Sequence, residues 1–142
     1  MVDGTADYLR PAGKKRVFSV ELANRTLPLV QRIVQDILRV SRKVRDYQEQ
    51  FESLQEQGDS AHAESAMSEL TEARELYRNF CQELSALGCH LSDEVSGTVE
   101  FPGVVNDRQV ILSWRLGEPE VIHWHDPEKD SHERRLLSEL NL

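Results

Sequence analysis

Two histidines one residue apart, His123 and His125, stand in a short β-branched and aromatic run, Val121-Ile122-His123-Trp124-His125. In an extended strand such residues project to the same side about 7 Å apart, so both imidazoles can grip one divalent transition metal. Glu100, in the run Thr98-Val99-Glu100-Phe101, supplies a carboxylate if the two strands are neighbours. Arg115, Glu118 and His125 form a second set. A planar guanidinium suits a carboxylate, so these three make either a network that holds a turn or a small anion- or ligand-binding pocket anchored on Arg115. Trp114 and Trp124 read as core plugs bordering that set rather than as platforms for bases. Ser113, His125 and Glu100 have the composition of a triad, but no glycine elbow or oxyanion-hole segment surrounds Ser113. Cys81, on a helix flank, reads as packing.

The elements that must position these groups are legible in the periodicity. Val30, Ile33, Ile37, Val40, Val44, Tyr47, Phe51 and Leu54 follow steps of three and four, an unbroken heptad seam. Ala63, Ala66, Leu70, Ala73, Tyr77, Phe80, Leu84 and Leu87 repeat the pattern. Folded antiparallel, Leu54 meets Ala63 and Val30 meets Leu87, with the fold point beside Gly58-Asp59, where a turn is chemically easy. Ser19 caps the first helix and Gly88 stops the second. Pro28 falls inside helix one, where a kink is expected.

Flanking positions say what covers the hairpin. Near the open end they are apolar: Leu22, Leu27, Leu29, Val34 and Cys81. Near the tip they are polar: Ser41, Lys43, Gln48, Gln50 and Gln55. The C-terminal region is therefore expected over the open end, with the tip projecting into water or into a partner. That region reads as a small antiparallel sheet of three strands, Thr98–Phe101, Val110–Trp114 and Val121–His125. Val110, Leu112 and Trp114 share one face; bringing Trp124 onto it requires an odd loop length or a bulge. The reverse face then gathers Glu100, Ser113, Arg115, His123 and His125. Asp130 to Glu133 has capping-box spacing before a short terminal helix.

The 142 residues, 16.3 kDa, make one ordinary domain. The fold class expected is α+β: residues 1–18 a loose arm, and 19–142 one domain divided into a helical hairpin, 19–88, and a β module, 89–142. Seventeen Lys and Arg against 25 Asp and Glu leave a net charge of −8, which disfavours nucleic acid or an anionic membrane as partner. Helix one has a basic stripe, Arg25, Arg32 and Arg39 with Arg42, Lys43 and Arg45, balanced by six acidic residues on the same helix. Two cysteines, Cys81 and Cys89, make no disulfide framework. No secretory leader opens the chain, and a cytoplasmic location is expected.

These residues resemble a bacterial domain-of-unknown-function family, number 2203. The resemblance runs from Phe18 to about Arg135, through Phe18-Ser19-Val20-Glu21, Ala23-Asn24, Leu27-Pro28, Leu87-Gly88 and Gly97-Thr98-Val99-Glu100-Phe101-Pro102. It closes on Val110 to Trp114, Arg115-Leu116-Gly117-Glu118 and Trp124-His125. Glu100 stands where the family pattern has Asp, Ser113 where it often has Cys, and His123 where it often has Tyr. Ser131-His132 replaces Gly-Phe before an arginine that falls at Arg134 or Arg135. The resemblance implies a domain of unassigned activity and supports the architecture. On the residues themselves, the expected function is a non-enzymatic interaction module forming a homodimer through its hairpin. The rival is a metal-binding protein or metal-dependent enzyme using His123, His125 and Glu100.

Overall fold

In the computed structural model the residues described are 17–129 and 133–140. Helix α1 spans Val20–Glu56 and α2 spans Ser60–Leu87, about 55 and 42 Å at 1.5 Å per residue. Ser19 Oγ accepts from the Leu22 N–H at 3.0 Å, and Asp59 caps α2 through the His62 N–H at 3.3 Å. Between the helices the chain reverses at Gln57-Gly58-Asp59, where Gly58 takes φ +73° at no side-chain cost. The fold point therefore lies where the seam places it. All sixteen seam residues are buried or half-buried. Pro28 lies inside α1, which continues through it.

Five strands follow: β1 His90–Asp93, β2 Thr98–Val105, β3 Arg108–Arg115, β4 His123–His125 and β5 Arg135–Leu136. They form an antiparallel meander in sequence order. Asn106 and Asp107, both at positive φ, make the tight turn between β2 and β3. Leu112 pairs with Trp124 and Val99 with Trp114, so both tryptophans face the hairpin. The β3–β4 loop, residues 116–122, has the odd length that this requires. Against the three strands expected, β1 and β5 are additions. The terminal segment also differs: Arg135–Leu136 pair with β4 before a single 3-10 turn, Leu137–Leu140, stands where a short helix was expected. Asp130 of the capping-box spacing, and residues 1–16 of the expected arm, lie outside the described residues.

The core lies between the sheet and the open end of the hairpin. Ala23, Leu27, Val30, Val34 and Ile37 of α1 and Leu84 of α2 meet Val99, Phe101, Val110, Leu112, Trp114 and Trp124. Leu29 departs from the expected apolar flank: it is 46% exposed, as Leu76 of α2 is at 49%. Each stands immediately before a seam position, whereas Val34 and Cys81 stand immediately after one. The sheet covers only the latter side. Two further ties fix helix to sheet. The Asn24 side-chain oxygen accepts the Val121 N–H at 2.6 Å, anchoring the β3–β4 loop to α1. Phe18, fully buried, pairs with the outer margin of β2, donating to the Pro102 carbonyl at 2.7 Å and accepting from the Val104 N–H at 3.0 Å. Gly103 permits this approach, since a Cβ there would stand 2.8 Å from Leu112 Cγ and 3.1 Å from the Phe18 carbonyl.

Candidate functional site: a buried polar layer behind the sheet

The register carries one row of polar residues across the reverse face. His90 pairs with Glu100, Glu100 with Ser113, and Ser113 with His123. His125 and Arg115 lie on the same face, two residues along their strands. An antiparallel sheet usually leaves such a face half in water, but here Glu100, Ser113 and His125 are buried. The polar groups must then find partners within the fold.

They do so in two clusters. In the first, His125 Nε2 lies 2.9 Å from Glu100 Oε2 and His125 Nδ1 lies 2.9 Å from the Asp126 carbonyl. A carbonyl only accepts, so Nδ1 carries a hydrogen. The hydrogen between Nε2 and the carboxylate belongs to one or the other, and the pair carries no net charge either way. His90 Nε2 stands 3.5 Å from the other Glu100 oxygen, at the solvent edge.

In the second cluster Arg134 reaches across the face with its side chain only 9% exposed. Its Nε donates to Ser113 Oγ at 3.0 Å, and its Nη2 donates to the Ser113 carbonyl at 3.3 Å and to Glu118 Oε1 at 2.7 Å. The Arg115 backbone N–H donates to the same Glu118 oxygen at 2.8 Å, while the Glu118 carbonyl accepts from Trp114 Nε1 at 2.9 Å. His123 Nδ1 lies 3.5 Å from Glu118 Oε2. Burial raises the Glu118 carboxyl, but the Arg134 hydrogen bond, the Arg115 N–H and the Arg134 charge outweigh it and hold the group below its ordinary value. Burial lowers His123, the Arg134 charge adds to this, Glu118 opposes it, and Arg115 lowers it further.

The sequence-derived candidates therefore divide between the two faces. Trp114 and Trp124 fill the core side, with the Arg108 guanidinium 4.7 Å from the centroid of Trp124. Glu118 and His125 occupy different clusters on the reverse side. The guanidinium that grips Glu118 is that of Arg134, and Arg115 contributes its backbone. Arg134 carried no signal of its own, because sixteen residues separate it from Glu118 in a stretch without periodicity; only the arginine of the family pattern pointed toward it. Of the metal-ligand candidates, His125 faces Glu100 while His123 faces Glu118. No group of three or more His, Cys, Asp or Glu placed to hold a metal ion occurs among the described residues. Ser113 Oγ is engaged by Arg134, and His125 by Glu100 and Asp126, so the triad-like trio forms no relay. Burial pushes the Cys89 thiol up to about 12 and also raises Cys81, so neither is an activated nucleophile.

The comparisons with known proteins agree with the resemblance. The profile described as "Uncharacterized conserved protein (DUF2203)" matches residues 16–137, and the chain belongs to that family. Neither the curated proteins nor the solved structures contain a match. No helix among the described residues is long and apolar enough to cross a membrane.

Proposed function

We propose that the protein is a non-enzymatic interaction module that pairs with a second copy of itself through the tip half of its hairpin. The observation that carries this reading is a border along one side of the half-buried seam on which Arg74 is the one charged residue. Immediately after Val40, Tyr47 and Leu54, α1 presents Ser41, Gln48 and Gln55, and after Ala66 and Ala73, α2 presents Met67 and Arg74, the latter tied to the Gln48 side-chain oxygen. The opposite border carries Asp36, Lys43, Glu69 and Glu83, together with the uncharged Leu29, Gln50 and Leu76. Toward the tip this side opens into a groove of about 430 Å³ lined by Phe51, Gln55, Ala63 and Met67, with Glu64 as its charged member. It continues the side that the sheet covers at the open end.

Ser, Gln and Met cost less to take out of water than ionised groups, and interface cores are depleted of charge. A second copy fits by self-complementarity. Gln and Ser both donate and accept, as a two-fold contact requires. The polar layer behind the sheet supports a non-catalytic role, because its hydroxyl and its buried imidazole are engaged within the fold.

Light scattering over a concentration series tests this. The expected result is a mass rising from 16.3 kDa toward twice that, with the Gln55→Glu/Met67→Glu variant staying at one chain while keeping its helical circular dichroism. A wild-type mass of one chain at every concentration removes the reading. Elemental analysis of untagged protein is the companion measurement, and a stoichiometric transition metal would replace it with the metal-site reading.

A further inference from the structure

Three sulfur side chains lie among the described residues: Met67, Cys81 and Cys89. Their surroundings decide what each can react with. Cys89 is 3% exposed, its thiol donates to the Leu84 carbonyl at 3.7 Å, and burial pushes it up to about 12. Cys81 is half-buried on α2, and burial raises its thiol too, against a hydrogen bond with Tyr77. Peroxides are attacked by the thiolate, so both cysteines are slow to oxidise near neutral pH.

Met67 differs in kind. A thioether has no proton to lose, so its lone pair is available at any pH. The side chain is half-buried and lines the tip groove beside Phe51, Gln55 and Ala63. At about 430 Å³ that groove is far larger than the ~30 Å³ share of one water, so a small oxidant enters it. The same residue stands on the border through which two copies are proposed to meet.

We propose that Met67 is a peroxide-responsive modification site whose oxidation to the sulfoxide separates two copies of the chain. The separation rests on the self-association reading above, while the oxidation itself does not. With hydrogen peroxide as oxidant, the sulfur lone pair attacks one peroxide oxygen. The S–O bond forms as the O–O bond breaks, and the proton on the transferred oxygen passes to the departing hydroxide. Sulfur is oxidised by two electrons, and the peroxide leaves as water. A flexible apolar side chain thereby becomes a polar one whose oxygen must be stripped of water when a partner covers it. A two-fold contact brings one Met67 from each copy, so it meets this penalty twice.

The test treats the whole protein with hydrogen peroxide between pH 5 and pH 7 and maps the products by peptide mass. The expected result is one added oxygen at Met67 ahead of any change at Cys81 or Cys89, at a rate that does not vary with pH. Light scattering then reads association of the oxidised protein, with circular dichroism confirming that the helices persist. The dissociation constant is expected to rise about tenfold or more. Methionine sulfoxide reductase restores the dimer, and a thiol reductant alone does not. Met67→Leu, of similar volume, stays paired through the same treatment, and Met67→Gln reproduces the loss without oxidant. Oxidation of either cysteine before Met67 would overturn the site. A dimer that survives complete oxidation of Met67 would overturn the switch alone, whereas an untreated protein that never pairs defeats the self-association reading and the switch with it.

Discussion

On α1 the two halves of the hairpin carry the same heptad seam and differ in burial, whereas the facing small residues of α2, Ala63, Ala66 and Ala73, are buried at the tip. At the open end Val30, Ile33 and Ile37 are buried, and Val34 beside them is completely so. Toward the tip Val44, Tyr47, Phe51 and Leu54 are only half-buried, although their spacing is identical. A seam aligns two helices, but two helices cannot enclose it. Enclosure depends on the neighbouring positions, apolar in one half and glutamine and serine in the other, and on which of them a sheet covers. On α1 the same sequence device thus builds a core at one end and a half-exposed edge at the other.

The comparison can be broken by substitution, with urea midpoints as the measurement. Ile37→Ala, in the covered half, is expected to cost about 3–5 kcal/mol, a large cavity in a tightly packed site. Arg134→Met should cost about 2–3 kcal/mol by leaving Glu118 without its guanidinium, and adding Glu118→Gln should recover part of the loss. Asn24→Ala leaves the Val121 N–H without its partner, for about 1–2 kcal/mol. At the tip, Leu54→Ala should cost only about 1 kcal/mol in dilute protein, where the leucine is already half in water. A Leu54→Ala loss equal to that of Ile37→Ala would erase the distinction between the halves.

Acid sharpens the contrast further, because both shifted groups of the polar layer lie in the covered half. His123 titrates below its ordinary 6.5 in the folded protein. The unfolded chain binds the proton first, so this part of the stability is complete above pH 6.5 and declines as pH falls from there toward the folded value. Glu118 titrates below its ordinary 4.5, so its share is present above pH 4.5 and is lost as pH falls through its own folded value. His123→Gln should remove the first decline and leave the second, in denaturation midpoints measured from pH 7.5 downward.

What could be read in the residues follows from range. The hairpin was legible because every seam position is specified by neighbours three or four residues away, and the turn by Gly58. The face assignments of Trp114, Trp124, Glu100 and Ser113 followed from alternation, a two-residue rule. β1 was not legible, since His90-Leu91-Ser92-Asp93 is a largely exposed edge with one apolar residue. Nor was β5, which is two residues long and exists through its pairing with β4. The site shows the same divide. Its row of residues was visible, but the arrangement of partners was not. Arg115 and Arg134 are both arginines near Glu118 in the fold, and their separate roles depend on where the chain returns after Asp126.

The contact of Phe18 with β2 has a consequence for how the protein keeps to itself. Beyond its pairing with β1, β2 would otherwise present bare amide and carbonyl groups along a strand border, a template on which other chains can stack into fibrils. Phe18 occupies that border, and Pro102, with no N–H to offer, blunts it further. Chains cut back past Phe18 would lose this guard, and the sheet would become a seed for aggregation.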